Sequence, residues 1–217
     1  MNDPALLAMI ESLTARICHD LVGPVGAIAN GVELLTDNLV KTDPEVVQLI
    51  ASSARSASQR LQYFRTAFGS GNALSSTRAL ADARALALTL AEAGKVTVDW
   101  PAPDADAETA AGRPVAKTLL NLLLVAHECL PRGGAIRVRI DMLAGALQVV
   151  IEAAGQQARL ADENRSALTP DPIAHAMTPR GVPARLAQLT SAAVGGALHV
   201  DEHPGQVNLI VRFPRAA

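Results

Sequence analysis

Cysteine and aromatic residues are scarce in this chain of 217 residues. Its two cysteines, Cys18 and Cys129, form neither a CxxC pair nor the dense pattern of a disulfide-bonded scaffold, which indicates a reducing compartment. We expect both to be small core residues rather than nucleophiles. Aromatic residues make up only 2% of the chain, and this favours helix-rich packing of small side chains.

Excess charge of one sign and long apolar runs are also missing. A net charge of −2 gives no reason to expect nucleic acid or an anionic membrane as a partner. No apolar run reaches the length of a membrane span, and the N-terminal residues MNDPALLAMIESL lack the basic region and cleavage site of a signal peptide. We therefore expect a soluble, cytoplasmic protein. Hydrophobic residues make up 49% of the chain, which is enough for a substantial core.

Two apolar stripes with helical spacing occupy residues 6–68. Each follows an aspartate and a proline, Asp3-Pro4 and Asp43-Pro44, a typical helix start. A short polar turn at 37–41 predicts an antiparallel hairpin. Two helices alone leave part of each stripe uncovered, so we expect two hairpins to form a four-helix bundle in a homodimer. The stripes consist of Leu6, Ile10, Leu13, Ile17, Leu21, Pro24, Ile28, Val32 and Leu35, then Val46, Ile50, Ala54, Ala57, Leu61, Phe64 and Phe68.

The pattern changes after the glycine-rich break at 69–72, which predicts a boundary between domains at 1–70 and 73–217. Beyond it, helices and mostly antiparallel strands follow in an order typical of a two-layer α/β sandwich, so the expected fold class is α+β. The stretches 101–112 and 156–179 are expected to be loops, the second with room for a short helix. The predicted helices span 75–93, 114–129 and 182–194, and the predicted strands span 96–100, 136–140, 147–151, 198–200 and 207–213.

His19 lies on the outer face of the first predicted helix, opposite its apolar stripe, at about 100° per residue. The surrounding positions on that face carry small residues or an amide rather than the Lys, Glu and Arg of an ordinary solvated face. Glycine within a helix costs ~1 kcal/mol relative to alanine, so this face suits the close approach of another protein's backbone. Its residues are Ser12, Ala15, Gly23, Gly26 and Asn30.

The residues alone leave three interpretations of His19 open: an incidental surface histidine, a metal ligand or a nucleophile. A metal site is disfavoured because no His, Cys or carboxylate follows three or four residues later. The small-residue face favours the nucleophile. Asp20 would then orient the imidazole or accept its proton, unless it is an ordinary surface acid. Arg16 has the spacing to pair with Asp20 or to meet a phosphate.

Three segments carry a resemblance to bacterial two-component proteins. Residues 16–28, RICHDLVGPVGAI, resemble the phosphoacceptor H box, with an acid directly after the histidine and a proline five residues after it. Residues 121–140, NLLLVAHECLPRGGAIRVRI, resemble the N box of the histidine-kinase ATP-binding (GHKL) fold. Residues 195–214, GGALHVDEHPGQVNLIVRFP, are similar to the final hairpin of that fold.

The sequence departs from the kinases where they bind nucleotide. Val125 stands where the N box has a magnesium-binding asparagine, and it cannot ligate a hard cation. Ala153 replaces the aspartate that reads adenine, and Gln157 replaces a glycine of the same box. Pro183 interrupts the later glycine segment and removes an N–H donor. Together these losses predict that ATP is not bound.

A complete H box beside a degenerate ATP fold resembles the ChpT-type histidine phosphotransferases. The resemblance implies a homodimer that takes a phosphoryl group from the receiver domain of a hybrid histidine kinase onto His19 and passes it to response regulators in a cell-cycle phosphorelay. It implies no cofactor or metal of its own, with Mg²⁺ held by the receiver. Gly23 replaces the residue that positions water in bifunctional kinases, so we expect no phosphatase activity of that kind.

The phosphoacceptor site predicted in this way comprises His19, Asp20 and Arg16. The predicted docking surface comprises Ser12, Ala15, Val22, Gly23, Gly26 and Asn30. A divergent active histidine kinase and a non-enzymatic dimeric adaptor are the alternatives.

Overall fold

The computed structural model describes residues 4–37, 43–69, 73–91, 95–143, 145–170 and 177–214. The predicted cap at Asp3, the turn at 38–41 and the break at 70–72 lie outside these residues. The chain begins with two long helices, α1 (Pro4–Asp37) and α2 (Pro44–Ala67), as the apolar stripes predict. Asp43 caps α2, since its Oδ1 accepts a hydrogen bond of 2.8 Å from the Glu45 amide.

The two long helices approach closely at Gly31, which is buried against α2. A Cβ atom at this position would lie 2.5 Å from Cγ1 of Ile50, so a larger residue would push the helices apart. Elsewhere the apolar stripes are only partly covered. Ile17 packs against the core, whereas Leu6, Ile10 and Val32 are about half exposed.

The rest of the chain forms a mixed sheet with helices on one face. Its order is β1-β2-β3-β5-β4; β1 and β2 are parallel and the other neighbours are antiparallel. This architecture confirms the expected α+β class. The elements are α3 (Ala79–Ala91), β1 (Val96–Asp99), α4 (Ala105–Ala110), α5 (Arg113–Glu128), β2 (Gly134–Leu143), β3 (Ala146–Ala154), α6 (Asp162–Ala167), α7 (Gly181–Ala192), β4 (Ala197–His203) and β5 (Gln206–Pro214).

Two local predictions need correction. The stretch 101–112 is not simply a loop, because it contains α4, which Asp104 caps by accepting a hydrogen bond of 2.7 Å from the Ala107 amide. The third helix begins at Ala79 rather than near residue 75. Before it, the Ser75 amide donates to Asp82 Oδ2 at 2.8 Å, and this bond holds the preceding residues in a turn.

The core lies between the sheet and the helices and continues into the C-terminal end of α2. Helix α5 is central and is buried from Val115 to Ala126 apart from the half-buried Lys117. The Tyr63 hydroxyl of α2 donates to the Leu120 carbonyl of α5 at 2.7 Å. In return, the side-chain Nδ2 of Asn121 in α5 donates to the Ala67 carbonyl at 2.9 Å. The hairpin is thus fixed to the α/β layer by buried hydrogen bonds.

None of the described helices is sufficiently long and apolar to cross a membrane.

Candidate functional site

His19 projects from the middle of α1 with 85% of its side chain exposed, as the helical spacing predicts. Its Nδ1 lies 3.0 Å from Oδ1 of Asp20, while its second nitrogen, Nε2, is on an open part of the surface. The ring is therefore held at one nitrogen and accessible at the other.

Asp20 is held as an ionised carboxylate. Burial alone would raise its pKa, but the hydrogen bond from His19 and the positive charge of Arg16 outweigh burial and lower the pKa below its usual value. Since an ionised carboxylate only accepts hydrogen bonds, the proton between the two residues belongs to Nδ1 of His19. This tautomer leaves the lone pair of Nε2 free for nucleophilic attack.

Arg16 holds the second oxygen of Asp20 and connects it to the α/β layer. Its Nε donates to Asp20 Oδ2 at 2.9 Å, so the ion pair that the spacing allows is formed. Its Nη1 pairs with Oε1 of Glu128, the last residue of α5. The Arg16 side chain is only 10% exposed. Although burial disfavours the guanidinium charge, the two carboxylates raise the pKa of Arg16 above its usual value.

Two residues of this network, Glu128 and Asn164, are missing from the site predicted from sequence. Oε2 of Glu128 accepts a hydrogen bond of 2.9 Å from Nδ2 of Asn164 in α6. Asn164 is completely buried. Helical spacing cannot reveal these contacts, because 112 residues separate Arg16 from Glu128. One local signal exists: a glutamate in the last turn of a helix opposes the helix dipole.

The predicted docking face is largely open. Ala15, Val22, Gly23 and Asn30 are exposed and Gly26 is half exposed. A Cβ atom at Gly23 or Gly26 would meet nothing within 4 Å. The prediction that Ser12 belongs to this face is wrong. Ser12 is buried, and its hydroxyl donates to the Met177 carbonyl at 3.1 Å. This contact with Met177 covers the Ser12 side chain, so Ser12 is not on the open face.

A cleft of about 270 Å³ adjoins Asp20 between α1, α2, α3 and α5. Its floor is apolar and includes Leu123 and Ile136, whereas Arg60 and His127 contribute basic groups to its wall. Burial and the nearby Arg60 charge lower the pKa of His127, which favours its neutral form. The cleft offers an apolar recess with a polar edge beside the exposed histidine.

The residues that the family resemblance places at three kinase nucleotide boxes are apolar and buried. Val125 and Ala153 are fully buried and apolar, and Pro183 lies inside the first turn of α7. Glu202 of β4 pairs with Arg165 of α6 and accepts from the Leu160 amide at 3.3 Å. These contacts pin residues 160–165 to the sheet.

His199 and the cysteines that the structure describes are separate from this site. Within the described ranges, no three His, Cys, Asp or Glu residues are grouped as metal ligands would be. His199 Nε2 lies 2.8 Å from Asp201 Oδ1 on the exposed sheet surface. Cys129 is buried as expected, and burial, aided by Glu128 and Glu202, raises its pKa to about 12. The prediction for Cys18 is wrong, because that residue is exposed on α1.

A family model for the "Histidine phosphotransferase C-terminal domain" matches residues 80–206, which is more than half of the chain. Together with the fold and the exposed histidine, this match defines the class of the protein as a phosphotransferase. The chain belongs to the histidine phosphotransferase family. The matched residues run from α3 into β5 and do not include His19.

Two known proteins extend this comparison. The chain is 37% identical to "Protein phosphotransferase ChpT" of Brucella abortus (strain 2308) over 144 residues, which cover 65% of this chain and 66% of the relative. It also resembles a solved structure titled "1.7 Angstrom Structure of a Bacterial Phosphotransferase". The identity there is 28%, the TM-score is 0.75, and the match covers 94% of this chain and 96% of the other.

Proposed function

We propose that the protein relays phosphoryl groups between receiver domains through a phosphohistidine at His19, without using ATP. The observation that carries the proposal is the exposed Nε2 of an imidazole whose Nδ1 proton is held by the ionised Asp20. The family membership and the similarity to ChpT support the same reaction class.

In the proposed reaction, the lone pair of Nε2 attacks the phosphorus of an aspartyl phosphate in line. A nitrogen–phosphorus bond forms, the bond between phosphorus and the aspartyl oxygen breaks, and the receiver's aspartate leaves as a carboxylate. The imidazole retains its Nδ1 proton and becomes positively charged, and the negative charge of Asp20 stabilises it. The reverse steps pass the phosphoryl group to a second receiver. Such transfer depends mainly on position and charge, and the receiver supplies Mg²⁺.

The docking surface of this proposal consists of Ala15, Val22, Gly23, Gly26 and Asn30. Its residues surround His19, and the two glycines have open space above them. A receiver must bring its aspartyl phosphate within about 3–3.5 Å of Nε2, so its backbone has to approach the helix closely. The family resemblance supports hybrid-kinase receivers and response regulators of a cell-cycle phosphorelay as partners.

A relay that does not bind ATP is favoured over a kinase by the degenerate nucleotide site. The described residues there offer a buried valine and alanine where magnesium and adenine need polar partners. The contacts of Arg16, Ser12 and Tyr63 also fix the hairpin to the α/β layer. Autophosphorylation would require that layer to carry bound ATP to His19.

The protein is further proposed to act as a homodimer. Apolar side chains on both long helices are about half exposed in one chain, among them Val25, Val32 and Leu61. Exposed apolar side chains in this number on one hairpin are typical of a protein interface. Pairing two hairpins as a four-helix bundle would bury these side chains.

The test is phosphoryl transfer from receiver domains of the source organism, charged with radiolabelled acetyl phosphate. We expect label on the wild-type protein and none on His19→Gln, and no label from ATP with Mg²⁺ alone. Label on His19→Gln would show that another residue accepts the phosphoryl group. Label from ATP alone would favour a divergent kinase, and no label from any charged receiver would favour a dimeric adaptor.

A further inference from the structure

We propose that Glu128 and Asn164 are positioning residues that orient the phosphoacceptor from the α/β layer. Their effect passes through Arg16 to Asp20 and from there to Nδ1 of His19. This inference rests on the proposed function of His19. It gives the α/β layer a role in the transfer that does not involve a nucleotide.

Arg16 is held by more than one partner. A long arginine side chain loses rotamer entropy when it is fixed, so a single exposed partner would hold it poorly. Here Nε is used for Asp20 and Nη1 for Glu128, and the guanidinium is almost fully buried. Because the guanidinium is planar, fixing Nη1 on Glu128 also fixes the direction in which Nε meets Asp20.

Glu128 is held at both oxygens. Oε1 pairs with Arg16, and Oε2 accepts from Asn164 Nδ2 at 2.9 Å. A glutamate at the end of α5 is unfavourable beside the negative end of the helix dipole. Local stability therefore does not explain this residue, whereas its contact with α1 does.

Asn164 has a buried side-chain oxygen, Oδ1, without a hydrogen-bond partner among the described residues, and such burial is unfavourable. Turning the amide over would direct this oxygen at the Glu128 carboxylate, so Glu128 fixes the amide's orientation. Buried polar groups that break local rules are typical of functional sites. The network then runs without a gap from α6 through α5 to the imidazole on α1.

The test compares Glu128→Gln with a matched control, Glu202→Gln. Both substitutions neutralise a carboxylate that contacts α6, but Glu202 does not contact Arg16. Thermal unfolding monitored by circular dichroism establishes that each variant is folded. The first readout is the tautomer of the neutral His19 ring, measured at alkaline pH. It is measured by ¹⁵N NMR of histidine-labelled protein, with His19→Gln to assign the signal.

We expect Glu128→Gln to lower the fraction of His19 with its proton on Nδ1, and Glu202→Gln to leave this fraction unchanged. If Glu128→Gln has the wild-type tautomer ratio, or if the control shifts it equally, the proposed coupling is wrong. This readout needs no phosphoryl donor. A failure of the phosphotransfer proposal would instead appear as an absence of label on the wild-type protein.

The second readout is single-turnover transfer from a charged receiver at saturating concentration. We expect a rate about tenfold slower for Glu128→Gln, with unchanged receiver affinity. Asp20→Asn combined with Glu128→Gln should be no slower than Asp20→Asn alone, because Glu128 acts through Asp20. Additive losses in this double-mutant cycle, or a loss confined to receiver affinity, would overturn the proposal.

Discussion

The glycines around His19 give a prediction in which stability and transfer change in opposite directions. Gly23 and Gly26 lie inside α1, where glycine is unfavourable, and a Cβ atom at either position would meet nothing within 4 Å. Replacing both with alanine should therefore stabilise the helix. If the face must admit a partner's backbone, the added methyl groups should also obstruct docking.

Gly26→Ala contributes up to about 1 kcal/mol to stability. Gly23→Ala contributes less, because Gly23 precedes Pro24 and the proline ring crowds a Cβ on the preceding helical residue. The double variant should therefore gain about 1 kcal/mol, which for a chain of this size raises Tm by about 2–4 °C. Overpacking a close interface costs about 1–3 kcal/mol. The value of kcat/KM for transfer should therefore fall about 5- to 150-fold.

The assay combines thermal unfolding with transfer from a charged receiver. Gly31→Ala is the matched control on the same helix, since its Cβ would lie 2.5 Å from Ile50 and should lower Tm. A double variant with higher Tm and undiminished transfer would refute the docking argument. A double variant with lower Tm would refute the reading of Gly23 and Gly26 as unobstructed helix positions.

Further predictions concern acid stability, assembly and thiol reactivity. Folding lowers the pKa of Asp20, so the free energy of unfolding should decline as pH falls below about 4. This decline should be less steep in Asp20→Asn. If urea unfolding gives the same change of unfolding free energy with pH for both proteins, this prediction is wrong. Val25→Glu combined with Val32→Glu should convert the proposed dimer into a monomer, as measured by analytical ultracentrifugation. A variant that stays dimeric would exclude the hairpin interface. A thiol reagent should modify the exposed Cys18 well before the buried Cys129, and the reverse order by peptide mapping would contradict the fold.

Periodicity predicts α1, α2 and the exposure of His19 because a long amphipathic helix has one apolar side whatever surrounds it. The alternation of strand residues likewise predicts most of the sheet. Periodicity does not reveal which neighbour covers a polar flank. For this reason Ser12 is buried against Met177 rather than on the open face, and the burial of Arg16 could not be foreseen.

Other features depend on contacts between segments distant in sequence. Glu128 and Asn164 join the site only after α5 and α6 are folded against α1, and no spacing rule connects them. Helix α4 differs from the predicted loop for a local reason, since prolines at 101 and 103 indicate a continuous loop. The cap at Asp104 followed by an alanine-rich run is the signal that identifies it.

The most direct test of phosphoryl transfer through His19 is to locate the phosphoryl group. The protein is incubated with a charged receiver, digested under conditions that preserve phosphohistidine, and sequenced by electron-transfer mass spectrometry. We expect a single phosphorylated residue, His19. A phosphoryl group on another histidine, or on no residue of this chain, would contradict it.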